Sequence, residues 1–222
     1  PHYLLLVSPD PVYPGPAAFV VYADSPPMHD GYVANTAESR WIGPRADGGD
    51  NLPNGRCDIE YPELDCFNVF YDYETPFDLT GLDHTTAHIT GRWACDDAGE
   101  IFLNGQSTGI IRLRAPGPDA AFRSWADFTI TDGFVPGINT LVFRVQNWYF
   151  PGNIGPNATA LRVEVASATA VLDLCPSDPH KSSPGVCGCG MPDIDLNGDG
   201  TPDCVDPVLS DEQPPEVSCA IA

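Results

Sequence analysis

The sequence predicts an all-β chain, a jelly-roll β-sandwich followed by an irregular, disulfide-rich extension that binds calcium. Three observations carry this. Gly (21) and Pro (24) supply 45 of the 222 residues, well above the roughly 12% of average usage. Short apolar or alternating runs recur between Gly, Pro and Asp clusters. No segment longer than about ten residues keeps an uninterrupted i, i+3, i+4, i+7 pattern, so very little helix is expected.

Eight runs read as strands: Tyr3 to Val7, Ala17 to Tyr22, Phe67 to Tyr73, Thr86 to Trp93, Glu100 to Leu103, Trp125 to Ile130, Thr140 to Trp148 and Ala160 to Ala166. Strands at this spacing suit a sandwich or jelly roll. Period-2 alternation is clearest late in the chain. Leu141, Phe143 and Val145 alternate with Val142, Arg144 and Gln146; Leu161, Val163 and Val165 alternate with Arg162 and Glu164. Each set is expected to have one dry face. Asn104-Gly105 and Pro136-Gly137 are turn signals, with Gly supplying positive φ. Trp93, Trp125, Phe128 and Phe143 lie in strand-like runs and are expected in the core.

Ten Lys and Arg against 31 Asp and Glu leave a net charge of −21. Such a chain is repelled by nucleic-acid backbones and anionic membrane surfaces, leaving cations and neutral polymers as partners. No apolar run approaches the roughly 20 residues that span a bilayer. With Pro1 opening the chain and no leader visible, the expectation is a processed, secreted product at a cell surface, without membrane insertion.

The eight cysteines, Cys57, Cys66, Cys95, Cys175, Cys187, Cys189, Cys204 and Cys219, form an even set that reads as disulfides in an oxidising compartment. Cys187-Gly-Cys189 has one intervening residue where zinc sites usually have about two to four. Cys57 and Cys66 are close enough to staple one loop, and Cys95 and Cys219 are left to pair within or between chains.

Composition changes near residue 170. Residues 171–222 hold ten acids and one base, with few aliphatics, and need staples in place of a core. The expected organisation is a sandwich over 1–170, with 1–16 as a candidate docking strand, a calcium-binding segment over 171–206, and a Pro-rich acidic tail over 207–222.

The most specific motif runs from Asp195 to Asp206. It places Asp195, Asn197, Asp199, Asp203 and Asp206 at loop positions 1, 3, 5, 9 and 12, with Gly200 at position 6 and the carbonyl of Thr201 at position 7. That is EF-hand-type spacing: calcium takes about six to eight hard oxygens, and the glycine permits the sharp turn. Aspartate replaces the usual glutamate at position 12. A register starting at Asp193 ends on Cys204, a poor calcium ligand, so Asp193 is assigned as an accessory ligand. Asp96 and Asp97 before Gly99 read either as a second calcium site or as a turn cap.

The stretch Cys175-Pro-Ser-Asp-Pro-His-Lys181-Ser-Ser-Pro-Gly-Val-Cys187-Gly-Cys189-Gly, followed by the acidic loop and Cys204, resembles the thrombospondin type 3 repeats at the ends of secreted bacterial proteins. The resemblance covers about 175–206 and implies a disulfide-pinned chain wrapped around calcium, acting as a rigid spacer or connector. The expected pairs are Cys175–Cys187 and Cys189–Cys204, though four cysteines allow three pairings.

A looser resemblance covers 17–168. Ser39-Arg40-Trp41-Ile42-Gly43-Pro44, Phe77-Asp-Leu-Thr-Gly81-Leu82, Gly91-Arg-Trp93-Ala-Cys-Asp96-Asp97 with Leu103-Asn104-Gly105, and Gly137-Ile-Asn139-Thr-Leu141 with Leu161-Arg-Val-Glu164 are similar to galactose-binding-like jelly-roll modules of bacterial surface proteins. The resemblance implies sugar binding, attachment to a larger enzyme, or a surface assembly.

Two functions follow. The first is a calcium-stabilised structural subunit that assembles with copies of itself into a filament, tube or layer. It rests on an apolar strand at Tyr3 to Val7 that reads either as a detached docking strand or as the first strand of its own sandwich, a coreless acidic extension, and an unassigned Cys219. The second is a carbohydrate-binding module that grips polysaccharide through exposed aromatics, chiefly Trp41 and Trp148, with Tyr71, Tyr73 and Tyr149 as further candidates. No catalytic residues are assigned: no carboxylate pair stands out, and His84 and His88 fall in a strand-like run as solvent-facing side chains. Asn157-Ala158-Thr159 matches the glycosylation acceptor pattern, a short motif of little weight.

Overall fold

The computed structural model describes residues 3–10, 13–21, 31–50, 69–148 and 157–207. Its strands are β1 (Leu4–Val7), β2 (Phe19–Val21), β3 (Trp41–Gly43), β4 (Gly49–Asp50), β5 (Val69–Asp78), β6 (Leu82–Asp96), β7 (Ala98–Leu103), β8 (Gln106–Arg112), β9 (Ala126–Ile130), β10 (Ile138–Asn147), β11 (Asn157–Ala158) and β12 (Ala160–Leu172). One short 3-10 turn, Gly117–Asp119, is the helical element among the described residues.

Two five-stranded sheets form a sandwich, one in the order β1-β5-β10-β7-β8 and the other in the order β2-β3-β12-β6-β9; β11 and β4 make a small ribbon. The eight strands β3, β5, β6, β7, β8, β9, β10 and β12, counted one to eight along the chain, give 2-7-4-5 in the first sheet and 1-8-3-6 in the second. That is the jelly roll, two interleaved Greek keys. β7 and β8 form the hairpin signalled by Asn104-Gly105, whose φ values of 51 and 78 match the positive pair a type I′ turn needs.

The dry face is set by alternation. Along β10, Leu141, Phe143 and Val145 are buried while Val142, Arg144 and Gln146 are half-buried. Phe143 meets Trp93 and Phe128 with ring centroids 5.8 Å away in each case, and Tyr3 at 5.9 Å. Outside the sheet, Arg144 makes a two-pronged ion pair with Asp72, 2.8 and 2.7 Å.

The second sheet is covered on both faces at one end. Trp93 points between the sheets, and its neighbour Ala94 points outward into a cluster of Val21, Tyr32, Trp41, Phe122 and Ala160. This corrects the expected alternation in β12: Arg162, assigned to the wet face, is 1% exposed. Residues 33–39 lie over it, and its guanidinium donates to Val33 O (3.0 Å), Ala34 O and Ser39 Oγ (2.8 Å) while pairing with Glu164 at 3.3 Å.

Of the two readings of Tyr3 to Val7, docking strand or first strand of its own sandwich, the pairing within this chain matches the second. β1 pairs antiparallel with β5, Leu4 opposite Glu74 and Leu5 opposite Tyr73, and Leu5 is 1% exposed. Burial of Leu5 holds the segment in its own sandwich.

The chain divides into two compact units, Pro1–Thr80 with His84–Ala170 and Gly81–Asp83 with Val171–Ala222. After Leu172 the described chain contains only turns, bends and irregular backbone, and only Cys175 and Asp206 are buried there. Its disulfides are Cys175–Cys189 and Cys187–Cys204, which corrects the expected pairing: Gly188 turns the chain between two cysteines that reach in different directions. Cys95 is a buried free thiol, so its assignment to a disulfide is corrected too; burial pushes its pKa up, away from reactive thiolate. Cys57, Cys66, Cys219 and Tyr149 lie outside the described residues.

Candidate functional site

The sandwich carries an open cleft of about 410 Å³ whose lining includes Tyr32, Asp96, Asp97, Arg114, Arg123 and Trp148. Each arrives from a different element. β6 ends on Asp96, and Asp97 lies in the step to β7; Trp148 follows the last residue of β10, and Arg114 follows β8. Tyr32 and Arg123 come from the covering segments beside Phe122.

Two anchors orient the floor. Tyr32 Oη donates to Asp96 Oδ2, while the Tyr32 ring stacks on Phe122 at 4.4 Å and meets Trp41 edge-on at 5.3 Å. The Trp148 amide donates to Asp97 Oδ2 at 3.0 Å, and Asp97 N donates to Gln146 O at 2.9 Å. Burial raises the Asp97 pKa against that hydrogen bond, and burial beside Asp96 raises that of the Tyr32 phenol. The Arg114 guanidinium lies 5.1 Å from the centre of the Trp148 ring, within cation–π range. Asn157 donates its amide to Asn147 Oδ1 and Trp148 O, both at 2.8 Å.

Of the proposed sugar platform, Trp148 is half-buried and lines the cleft. Trp41 does not: it is fully buried, with Nε1 donating to Val33 O at 2.7 Å. The short strand β3 turns that ring under the covering segment instead of toward solvent. Tyr71 and Tyr73 are likewise fully buried, facing inward on β5. Tyr32, Phe122, Arg114 and Arg123 escaped sequence reasoning because they lie in irregular segments whose approach depends on contacts far along the chain. His84 and His88 are half-buried on β6.

In the C-terminal unit, Asp195 accepts from Gly198 N (2.7 Å) and Gly200 N (2.8 Å). Asn197 Nδ2 lies 3.2 Å from Asp199 Oδ2 and 3.0 Å from Asp206 Oδ2, while Asp199 Oδ1 accepts from Thr201 N at 2.8 Å. Asp203 Oδ1 accepts from Leu196 N at 3.0 Å. Loop positions 3, 5 and 12 therefore meet around one amide, and the donor set is all hard oxygen, the chemistry calcium prefers. Among the described residues no group of three or more His, Cys, Asp or Glu side chains forms a ready metal cage; the carboxylates are turned toward backbone amides. Asp193 accepts from Cys187 N at 2.8 Å and pairs with Lys181 at 3.2 Å.

No protein-family model matches the sequence, and no curated protein matches it. Among solved structures, a CBM35 from Paenibacillus barcinonensis is similar at 16% identity, covering 68% of this chain and 88% of that one, with a TM-score of 0.29. A CBM35 from Cellvibrio japonicus is 18% identical over 67% and 84%, TM-score 0.25. A PA14 sugar-binding domain from an RTX adhesin is 16% identical over 67% and 90%, TM-score 0.25. Likenesses of this depth bear no functional argument, and the jelly roll stands on its strand order.

Proposed function

We propose that the sandwich is a non-catalytic glycan-binding module of a secreted protein and that it takes neutral polysaccharide at the cleft beside Trp148. The observation that carries this reading is the composition of that one cleft. A sugar ring offers an apolar C–H face inside a rim of hydroxyls. The cleft offers the half-buried ring of Trp148, the carboxylate of Asp97 and the guanidinium groups of Arg114 and Arg123, over a floor of buried Tyr32, Phe122 and Asp96. Aromatic surface with a few convergent polar groups is what such recognition requires. The charge of −21 favours a neutral polymer over an acidic one. The rival reading, a self-assembling subunit, loses its detached strand, because β1 belongs to its own sheet.

The accompanying proposal is that the C-terminal unit is a calcium-stabilised connector, with Asp195, Asn197, Asp199, Thr201, Asp203 and Asp206 holding the ion. The two disulfides support secretion, and among the described residues no helix is long and apolar enough to cross a membrane.

Binding isotherms against soluble xylan, mannan, β-glucan and galactan test the first proposal. Saturable binding to at least one is expected, with Trp148→Ala weakening it by about tenfold or more, since truncating an aromatic anchor costs about 2 kcal/mol or more. No binding to any of the four, or unchanged binding by a folded Trp148→Ala protein, overturns it. Calorimetric titration with calcium tests the second: one site is expected, and Asp199→Ala removes it.

A further inference from the structure

We infer that the C-terminal unit contains a second cation site, distinct from the acidic loop, which the chain fills itself: the Lys181 ammonium is a tethered structural cation. When that side chain is removed, the same cage takes a free primary ammonium ion. Lys181 is the sole lysine of the protein and the sole Lys or Arg among residues 171–222, against ten acids. A lysine ordinarily extends into water; this one has a side chain only 13% exposed. Its Nζ donates to Pro184 O at 2.8 Å, Gly188 O at 2.9 Å and Met191 O at 2.8 Å. Those three bonds use every donor an ammonium has, and Asp193 Oδ1 stands at 3.2 Å as the charge partner.

The cage also has ties that do not run through the lysine. Gly188 sits between Cys187 and Cys189, whose disulfides hold its carbonyl in place. Gly185 has a φ of 58, and a Cβ there would overlap the Asp193 carboxylate. Asp193 is held by Cys187 N at 2.8 Å, and Asp178 Oδ2 holds Gly190 N at 2.7 Å. Three carbonyl oxygens and a carboxylate aimed at one point repel one another and lose solvation unless a cation sits among them. Arginine does not fit, because its planar fork cannot place three donors around a point. The inference does not depend on calcium binding by Asp195–Asp206.

The test is hydrogen–deuterium exchange of residues 173–194 in the full chain, on protein whose two disulfides have been verified by peptide mapping. Lys181→Met keeps the length and loses the charge; it is expected to speed exchange of the Cys187 and Gly190 amides by about tenfold or more while the sandwich strands are unchanged. Lys181→Ala is expected to behave likewise, and ethylammonium chloride to restore its protection where tetramethylammonium chloride of equal ionic strength does not. In unaltered protein, acetylation of Lys181 is expected to be slower by about tenfold or more than in the reduced, denatured chain, as its burial requires. Native protection in Lys181→Met, rescue of Lys181→Ala by both salts or by neither, or equal acetylation rates in the folded and denatured chains overturns the inference.

Discussion

Phe143 touches aromatic rings from β6, β9 and the segment before β1, and Tyr71, Tyr73 and Trp93 beside it are fully buried. Past Leu172 nothing comparable exists among the described residues: Leu174, Val186, Met191, Ile194, Leu196 and Val205 are all about half exposed or more. There the chain is held by two disulfides, by carboxylates accepting from backbone amides, and by one ammonium gripping three carbonyls. The sandwich excludes water from large rings; the C-terminal unit satisfies its backbone with covalent and charged ties. A short Gly- and Pro-rich segment without a core is specified by side chains that bond to backbone, so its sensitive residues are Asp, Lys and Cys.

The largest effect separating the two units is expected from the core. Trp93→Ala or Phe143→Ala empties a fully buried aromatic site and should cost the sandwich about 3–5 kcal/mol, seen as a lowered urea midpoint by tryptophan fluorescence. Exchange protection in residues 173–207 should stay as in the unaltered protein. Loss of protection there would mean that the C-terminal unit is not independently held.

Replacing Cys175 and Cys189 together by Ser is the converse. Their separation is 14 residues, and loop-closure entropy for a loop of about 15 residues corresponds to about 3 kcal/mol. The double variant should lose protection between 173 and 194 while the urea midpoint of the sandwich holds.

How far the sequence foretold this contrast depends on how local each signal is. Each of the eight runs read as strands corresponds to a strand, because alternation and flanking Gly and Pro act within a few residues. β8 shows no strand signal because Gly109 interrupts Gln106–Arg112 and its side chains are mostly exposed. β3 is three residues long, too short to show a period. Trp41 and Arg162 are buried against expectation for one reason: alternation names two faces of a strand but does not encode that residues 31–41 fold back over the outer one. In the cleft, Asp96, Asp97 and Trp148 were legible as oxygen donors and an aromatic at strand ends, whereas Tyr32 and Arg123 join them only through that same covering layer. The disulfide pairing turned on the direction of the chain at Gly188, which spacing does not encode.

Calcium removal is expected to give a smaller and more local effect. At calcium about a hundredfold above its dissociation constant, binding to the folded loop is worth about 2.7 kcal/mol. Chelation should therefore speed exchange across 195–206, and Asp199→Ala should reproduce it without calcium dependence. Residues 178–193, held by Lys181, should be unaffected. Equal loss in both halves would merge the two cation sites into one cooperative unit.

The smallest effect lies in pH, where the two units are expected to slope in opposite senses around the ordinary aspartate value of about 3.9. In the C-terminal unit, hydrogen bonds from His180 N and Gly190 N hold the Asp178 carboxyl below its usual range. The stability it contributes is present above about 3.9 and is lost as pH falls through its lower folded value. In the sandwich, burial raises Asp97, with its neighbours Asp96 and Arg114 close by and Trp148 N bonded to it. Its contribution is greatest below about 3.9 and is lost as pH rises through its higher folded value. Asp97→Asn should flatten the pH dependence of the sandwich midpoint above 3.9, and Asp178→Asn should flatten the acid loss of protection at Gly190, measured as exchange corrected for its intrinsic pH dependence. A sandwich whose stability rises across Asp97's window would mean that its ion is solvated or paired within the cleft, and the same carboxylate would then meet a sugar hydroxyl as a charged acceptor.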